Sequence, residues 1–348
     1  MSMTSQCVRR MSMAGAAMVV GLSGLLAVPA MAQEKVEVRL GLTTPDDSIN
    51  GVVGHMWDKL AQTLSKGRVS VKVFPSGQLG KERAQLEGLV TGSHDAFEHI
   101  SAYTGKYPEL RFWDLPFLFE NTDQVTRLAY SGMHQDLEKV FDKEGMVYLA
   151  TVGYGYRQFS VRNKAYNTPA DLVGQKHRIP GGKSKMMLFE ALGANVSTVS
   201  FPELYQALSQ GVVDSQDNPI QIIHSAKFHE VTNYLSLLNY VYNPNIIAAG
   251  KPFWDKLDKQ AQDVLKQSAY IVQGWSIQAA DRFDAEFLTK IKEEKPSMKI
   301  NTLDPATLPA WKEKAKPVYA AFEEETSKAF ADNIYQTVGG GFYKPQVK

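Results

Sequence analysis

Three short stretches carry residue types that together could hold an anion. The first is Tyr154-Gly155-Tyr156-Arg157-Gln158 and the second Gly174-Gln175-Lys176-His177-Arg178-Ile179-Pro180. The third is Gly211-Val212-Val213-Asp214-Ser215-Gln216-Asp217-Asn218-Pro219. The first two each set one arginine beside a predicted strand, and the third sets an amide next to a proline that fixes the backbone. An arginine at a strand end can present its planar fork to a carboxylate through two parallel hydrogen bonds. A second arginine and an asparagine donor can complete that carboxylate's acceptor sites. Taken singly, each arginine reads more simply as a surface ion pair that contributes little, and Asn218 as a turn residue ahead of proline.

Motifs for covalent or cofactor chemistry are missing. Beyond the N-terminal segment there is no Gly-x-Ser-x-Gly, no Cys-x-x-Cys and no P-loop. His229-Glu230 lacks the second histidine of a zinc-protease helix, because Asn233 stands where it belongs. Gly153-Tyr154-Gly155 begins a dinucleotide-like pattern, but Gln158 replaces its third glycine. The seven histidines show no metal-ligand spacing. No cofactor and no metal are expected, and an enzyme is unsupported.

The elements that must position these stretches follow from periodicity. Val36, Val38, Leu40 and Leu42 alternate as a strand does. A helix over 49–64 and a strand at Val69, Val71 and Val73 follow. Pro75-Ser76-Gly77-Gln78-Leu79-Gly80 is loop chemistry leading into a helix over 82–90. Asp95 to Ile100 is a further strand. This βαβα rhythm predicts a mostly parallel sheet with helices on both faces. Beyond it the pattern predicts one helix over 124–143, a strand over 146–152, then strands at 158–161 and 177–179 with helices at 183–192 and 202–210, a second α/β lobe. The segment Leu257 to Glu294 keeps helical spacing without proline and is long enough to run along both lobes.

The N-terminus reads as an address. Arg9-Arg10 is a basic n-region, Met11 to Val28 is uncharged and mostly apolar, and Ala30-Met31-Ala32 offers a small-x-small cleavage site before Gln33. Residues 1–32 are thus expected to be a signal peptide cleaved after Ala32, with ordinary Sec export favoured over a twin-arginine route. The single cysteine, Cys7, lies inside this segment, so disulfides play no part in what remains. Losing Arg9 and Arg10 leaves 36 basic residues (38 − 2) against 37 acidic ones, a net charge of −1. That balance argues against nucleic acid or an anionic membrane surface as partner, and no remaining apolar run is long enough for direct membrane insertion. The remaining chain is long enough for two lobes with separate cores.

From Val36 to about Phe330 the chain resembles the solute-binding subunits of tripartite ATP-independent periplasmic (TRAP) transporters, the DctP-like family. The shared landmarks are Gly77-Gln78-Leu79-Gly80, Leu115-Pro116-Phe117-Leu118-Phe119, and Asp171-Leu172-x-Gly174-x-Lys176-x-Arg178-x-Pro180. Glu203-Leu204-Tyr205-x-Ala207-Leu208-x-x-Gly211-Val212-Val213-Asp214 and Asp217-Asn218-Pro219 follow in order. The resemblance implies a two-lobed α/β periplasmic-binding-protein fold, a Venus flytrap, with a long helix spanning both lobes. The implied division is 33–153 and 244–283 for lobe I, 154–243 and 284–335 for lobe II, and 336–348 as a C-terminal tail. It implies a periplasmic protein that closes on a small organic acid by hinge motion and hands it to the membrane subunits of a TRAP transporter. A sensor module would need the same closed form.

The resemblance also implies roles. Arg178 matches the principal carboxylate-binding arginine, Arg157 a second arginine near the carboxylate, and Asn218 an amide that hydrogen-bonds it. Phe201 falls where an aromatic side chain lies against the ligand, and His99 and Thr43 at first-lobe positions that touch its far end. Tyr240 and Tyr154 are either pocket walls or core. Glu98, His99, Thr43 and the tyrosines suit hydroxyl groups, which favours a sugar acid or hydroxy acid. The aromatic residues keep an aromatic or branched acid open. A C4-dicarboxylate wants a first-lobe cation, and where sialic acid binders carry a further arginine this chain has Ala102.

Overall fold

Eleven strands divide between two sheets in the computed structural model, which describes residues 34–339. The expected signal peptide and its cleavage point lie outside the described residues. In chain order the strands are β1 Val36–Gly41, β2 Val69–Phe74, β3 Ala96–His99, β4 Met146–Tyr156, β5 Gln158–Val161, β6 Lys176–Ile179, β7 Asn195–Thr198, β8 Ser215–Asn218, β9 Tyr234–Leu237, β10 Tyr242–Gly250 and β11 Lys299–Thr302. One sheet has the order β2-β1-β3-β10-β4 and the other β11-β9-β5-β8-β6-β7. In the first, β1 pairs in parallel with β2 and β3, and β10 runs antiparallel between β3 and β4. In the second, β6 pairs in parallel with β7 and β8, while β5 lies antiparallel to β8 and β9. The protein is a two-lobed α/β fold with one sheet per lobe.

The chain passes from sheet to sheet at Arg157, between β4 and β5, and returns over residues 238–241, between β9 and β10. The two crossings are tied together by the Arg157 amide donating to the Val241 carbonyl (2.8 Å). Gly155, at φ +126°, makes the bend just before the first crossing, in a region side-chain-bearing residues avoid.

The long helix runs Lys259–Glu294, with Asp258 capping its N-terminus through the Ala261 amide. Near its start Trp57 of the first-lobe helix Ile49–Ser65 donates to the Leu265 carbonyl and Ser268 Oγ. Further along, Asp284 accepts from the Gln221 amide of the second-lobe helix Ile220–Ser225. Between these points the helix lies hard on β4, where a Cβ on Gly153 would collide with the Ser276 backbone. That packing accounts for the glycine of the incomplete dinucleotide-like pattern.

The lobes do not have separate cores. Buried apolar residues form two clusters, and each draws on both sheets: Phe97 and Phe159 fall in one, Val38 and Leu235 in the other. Alternate residues of β10 divide between them, Ile246 and Ala248 against Ile247 and Ala249, as side-chain alternation requires of a sheet covered on both faces. The crossing strands and the long helix carry each layer across the boundary. The helix expected over 124–143 is two, Thr122–Ala129 and Met133–Lys143, broken at Tyr130-Ser131-Gly132. The expected tail begins inside a helix, Lys328–Val338, whose Ile334, Tyr335 and Val338 are buried. Val338 accepts from Arg127 Nη2 at 2.9 Å. Among the described residues no helix is long and apolar enough to cross a membrane.

Candidate functional site

Parallel strands leave their C-terminal ends free of the crossover helices, and a cleft forms where those ends meet. Here the ends of β1, β3, β6 and β8 converge on one cavity between the sheets. The lobe I lining is Thr43 and Thr44 after β1, Asn50 at the start of the helix Ile49–Ser65, Glu98 and His99 at the end of β3, and Asn245 of β10. The facing side has Arg178 at the end of β6, Asn218 at the end of β8, Phe201 after β7, and Arg157 at the crossing. Its volume is about 20 Å³, room for roughly one water, so an acid of several carbons needs the walls to move apart. A second cavity of about 550 Å³ adjoins it through Glu82, Ser101 and Pro180 and makes a wide mouth. The Phe201 amide donates to Glu82 Oε1 across the cleft at 2.7 Å, and the Ile49 amide to Gln221 Oε1 at 3.2 Å.

The two arginines differ in what surrounds them. Arg157 is committed to protein: Nε and Nη2 bond the carboxylate and the carbonyl of Asp217, and Nη1 faces Asn243 Oδ1 at 3.4 Å. Asp217 also accepts from the Tyr240 hydroxyl at 2.6 Å. Burial works against both charges of the Arg157–Asp217 pair, and the pairing overcomes it, so Asp217 stays well below the usual carboxylate range. Arg178 is just as buried, at 1% exposure. Its Nε donates to the Val199 carbonyl at 2.8 Å, but Nη2 has no partner. Among the described residues no carboxylate lies within ion-pair distance of it. Burial pushes its guanidinium down to about 10, with Glu82 opposing the shift and Arg157 adding to it.

Apart from Glu82, the lobe I lining presents polar groups held without charge. Burial pushes Glu98 up to about 8, so its carboxyl is mostly protonated at neutral pH. Asn50 and Asn245 donate to Glu98 Oε1 at 2.7 and 3.3 Å, while Oε2 is buried without a partner. His99 is pushed down to about 4 by burial. Its Nδ1 accepts from the Ala102 amide at 3.1 Å, which places the proton on Nε2 and makes that nitrogen a donor.

Of the residues singled out from the sequence, Arg178, Arg157, Asn218, Phe201, His99, Thr43 and Tyr154 all line this cavity. Tyr154 donates to Asn218 Oδ1 at 3.1 Å, and Asn218 Nδ2 donates to Gln216 Oε1 at 2.6 Å. Tyr240 is not a pocket wall: it stacks on Phe159 (5.1 Å, 15°) and spends its hydroxyl on Asp217. Asn50, Glu82 and Asn245 join the lining without a local motif to announce them. Asn243-Pro244-Asn245 does repeat the Asn-Pro step of Asn218-Pro219, and in β10 it forms a bulge.

The model of bacterial extracellular solute-binding protein family 7, DctP, matches residues 41–326. The chain belongs to that family. A solute-binding protein of Verminephrobacter eiseniae is 30% identical over 308 residues, covering 88% of this chain and 90% of that one. The sugar acid binding protein of Advenella mimigardefordensis, solved with galactonate, superposes with a TM-score of 0.83 at 26% identity and covers 88% of this chain and 98% of its own. A TRAP periplasmic solute-binding protein of Sulfurospirillum deleyianum with bound succinate gives 0.81 at 27% identity, covering 86% and 98%. This family 7 chain is a TRAP-type solute-binding protein and not an enzyme.

Proposed function

We propose that this family 7 protein captures a small monocarboxylic sugar acid or hydroxy acid and delivers it to the membrane subunits of a TRAP transporter. The observation that carries the reading is Arg178, a buried guanidinium lining the cavity with an unpartnered Nη2. A buried cation with no counter-charge at ion-pair distance is costly, and a ligand carboxylate supplies both the charge and the fork geometry. Arg157 and Asn218 orient that carboxylate beside it. Against lobe I the rest of the ligand meets the protonated Glu98, the Nε2–H of His99, Thr43, Asn50 and Asn245. These groups suit hydroxyls and carbonyls rather than a second carboxylate, which favours the galactonate-like ligand over the succinate-like one. Arg83 and Lys106 stand only at the outer mouth.

In this reading lobe I comprises 33–153 and 244–283 and lobe II 154–243 and 284–335. The chain is exported after cleavage behind Ala32 and works in the periplasm. Closure joins the Arg178 side to the Glu98 side through one ligand, and the closed form is what the membrane subunits recognise. A ligand shifts that equilibrium only by binding the closed form better. A thermal-shift screen of purified protein against sugar acids, hydroxy acids, dicarboxylates, aromatic acids and neutral sugars tests it. Stabilisation by aldonic or related hydroxy acids is expected, with none from neutral sugars. A response confined to dicarboxylates or aromatic acids would replace the ligand class, and none from any acid in ligand-stripped protein would overturn the clamp.

A further inference from the structure

Away from the cleft, the tertiary structure gathers His224, His229 and Glu294. His224 belongs to the helix Ile220–Ser225, His229 to the short helix Phe228–Val231, and Glu294 is the last residue of the long helix. The two imidazole rings lie parallel, 5.0 Å apart at an interplanar angle of 2°. Both aim Nε2 at one oxygen, Glu294 Oε2, at 3.0 and 3.2 Å. One donor atom from each residue lies within 4.8 Å of the others.

We propose that these three residues bind a divalent transition-metal ion of zinc's class. Two imidazoles and a carboxylate are a donor set such ions accept, with a fourth position left for water. A tetrahedral ion with ligands at about 2.0–2.1 Å sets its donors roughly 3.3 Å apart, close to the nitrogen–oxygen distances here. His229 carries the orientation of a metal-bound histidine. Its Nδ1 faces the Ile223 carbonyl at 3.4 Å; a ring that donates its Nδ1 proton there can turn an Nε2 lone pair toward Glu294, as a metal-bound histidine does. A lone pair facing a carboxylate oxygen is repulsive, and a cation between them, a proton or a metal ion, makes the contact attractive. The segment bearing His229 is already held in place, because Lys295 Nζ donates to the carbonyls of His229 and Thr232 at 3.0 and 2.6 Å. Glu294 is half exposed, which leaves an entry path from solvent. A bound ion would pin two second-lobe helices to the end of the long helix.

The test is a Zn2+ titration of chelator-stripped protein carrying no polyhistidine tag, followed by calorimetry and thermal denaturation. One equivalent should bind and raise Tm. His224→Ala and Glu294→Gln should each weaken Zn2+ binding by more than roughly tenfold, the loss that even outer partners of metal ligands cause, and remove the Tm rise while acid affinity is unchanged. Should His224→Ala fail to fold, the exposed, isosteric Glu294→Gln decides alone. Equal Zn2+ affinity in wild type and Glu294→Gln, or no stoichiometric binding to wild type, overturns the site.

Discussion

Replacing Arg178 by methionine removes the charge and the fork while keeping most of the buried stem. Two opposite effects follow from the same geometry. For binding, a two-pronged carboxylate contact comprises two charge-assisted hydrogen bonds at about 1.5–3 kcal/mol each. Their loss raises Kd by roughly two to four powers of ten. For folding, the guanidinium sits at about 10, below its ordinary value, because burial disfavours its charge. At about 1.4 kcal/mol per power of ten, that places the cost of the charge near neutral pH on the order of 3 kcal/mol. The cost is present at every pH below about 10. Removing it is offset by the Val199 carbonyl losing its donor, about 1–3 kcal/mol. The ligand-free variant should therefore be as stable as wild type or about 2 kcal/mol more so. Urea denaturation without ligand measures the second effect, and calorimetry with the best acid from the screen measures the first. Wild-type affinity, or a ligand-free variant destabilised by more than about 2 kcal/mol, would refute the assignment of Arg178 to ligand rather than to fold.

Three further outcomes are expected. Glu98 is held neutral up to about pH 8 by burial. Its raised value means that ligand-free stability declines as pH rises from the ordinary carboxyl range through 8, and acid affinity weakens above 8 as an anion faces an anion; Glu98→Gln should flatten both profiles, measured by denaturation and calorimetry across pH. Asp217→Asn leaves the fully buried Arg157 without its counter-charge and should destabilise by about 3–5 kcal/mol in thermal or chemical unfolding. Gly153→Ala must push β4 off the Ser276 backbone, with an expected loss of about 1–3 kcal/mol or more, readable as a fall in denaturation midpoint.

The residues of the acid site were largely legible one lobe at a time. Arg178 and Asn218 stand in ordered landmarks at strand ends, with Phe201 just ahead of another, and alternation marks β1 and β2 closely because a half-buried strand must alternate. Asn50, Glu82 and Asn245 were not legible. Each comes from a helix start or a strand whose local pattern records only its own packing, and their meeting with Arg178 is a long-range event.

Local chemistry by itself determined the α/β class, the long helix, the candidate signal segment and which residue types could clamp a carboxylate. These depend on residue spacing and on the geometry of the guanidinium, which travel with the chain. Tertiary structure decided which of the two arginines is spare, since only the fold brings Asp217 onto Arg157 and leaves Arg178 Nη2 unpaired. It also decided that Glu98 is neutral, that Tyr240 is core, that each apolar layer runs through both lobes, and that His224, His229 and Glu294 meet. Each of these depends on the burial and partners of a group, and those are set by segments far away in the chain.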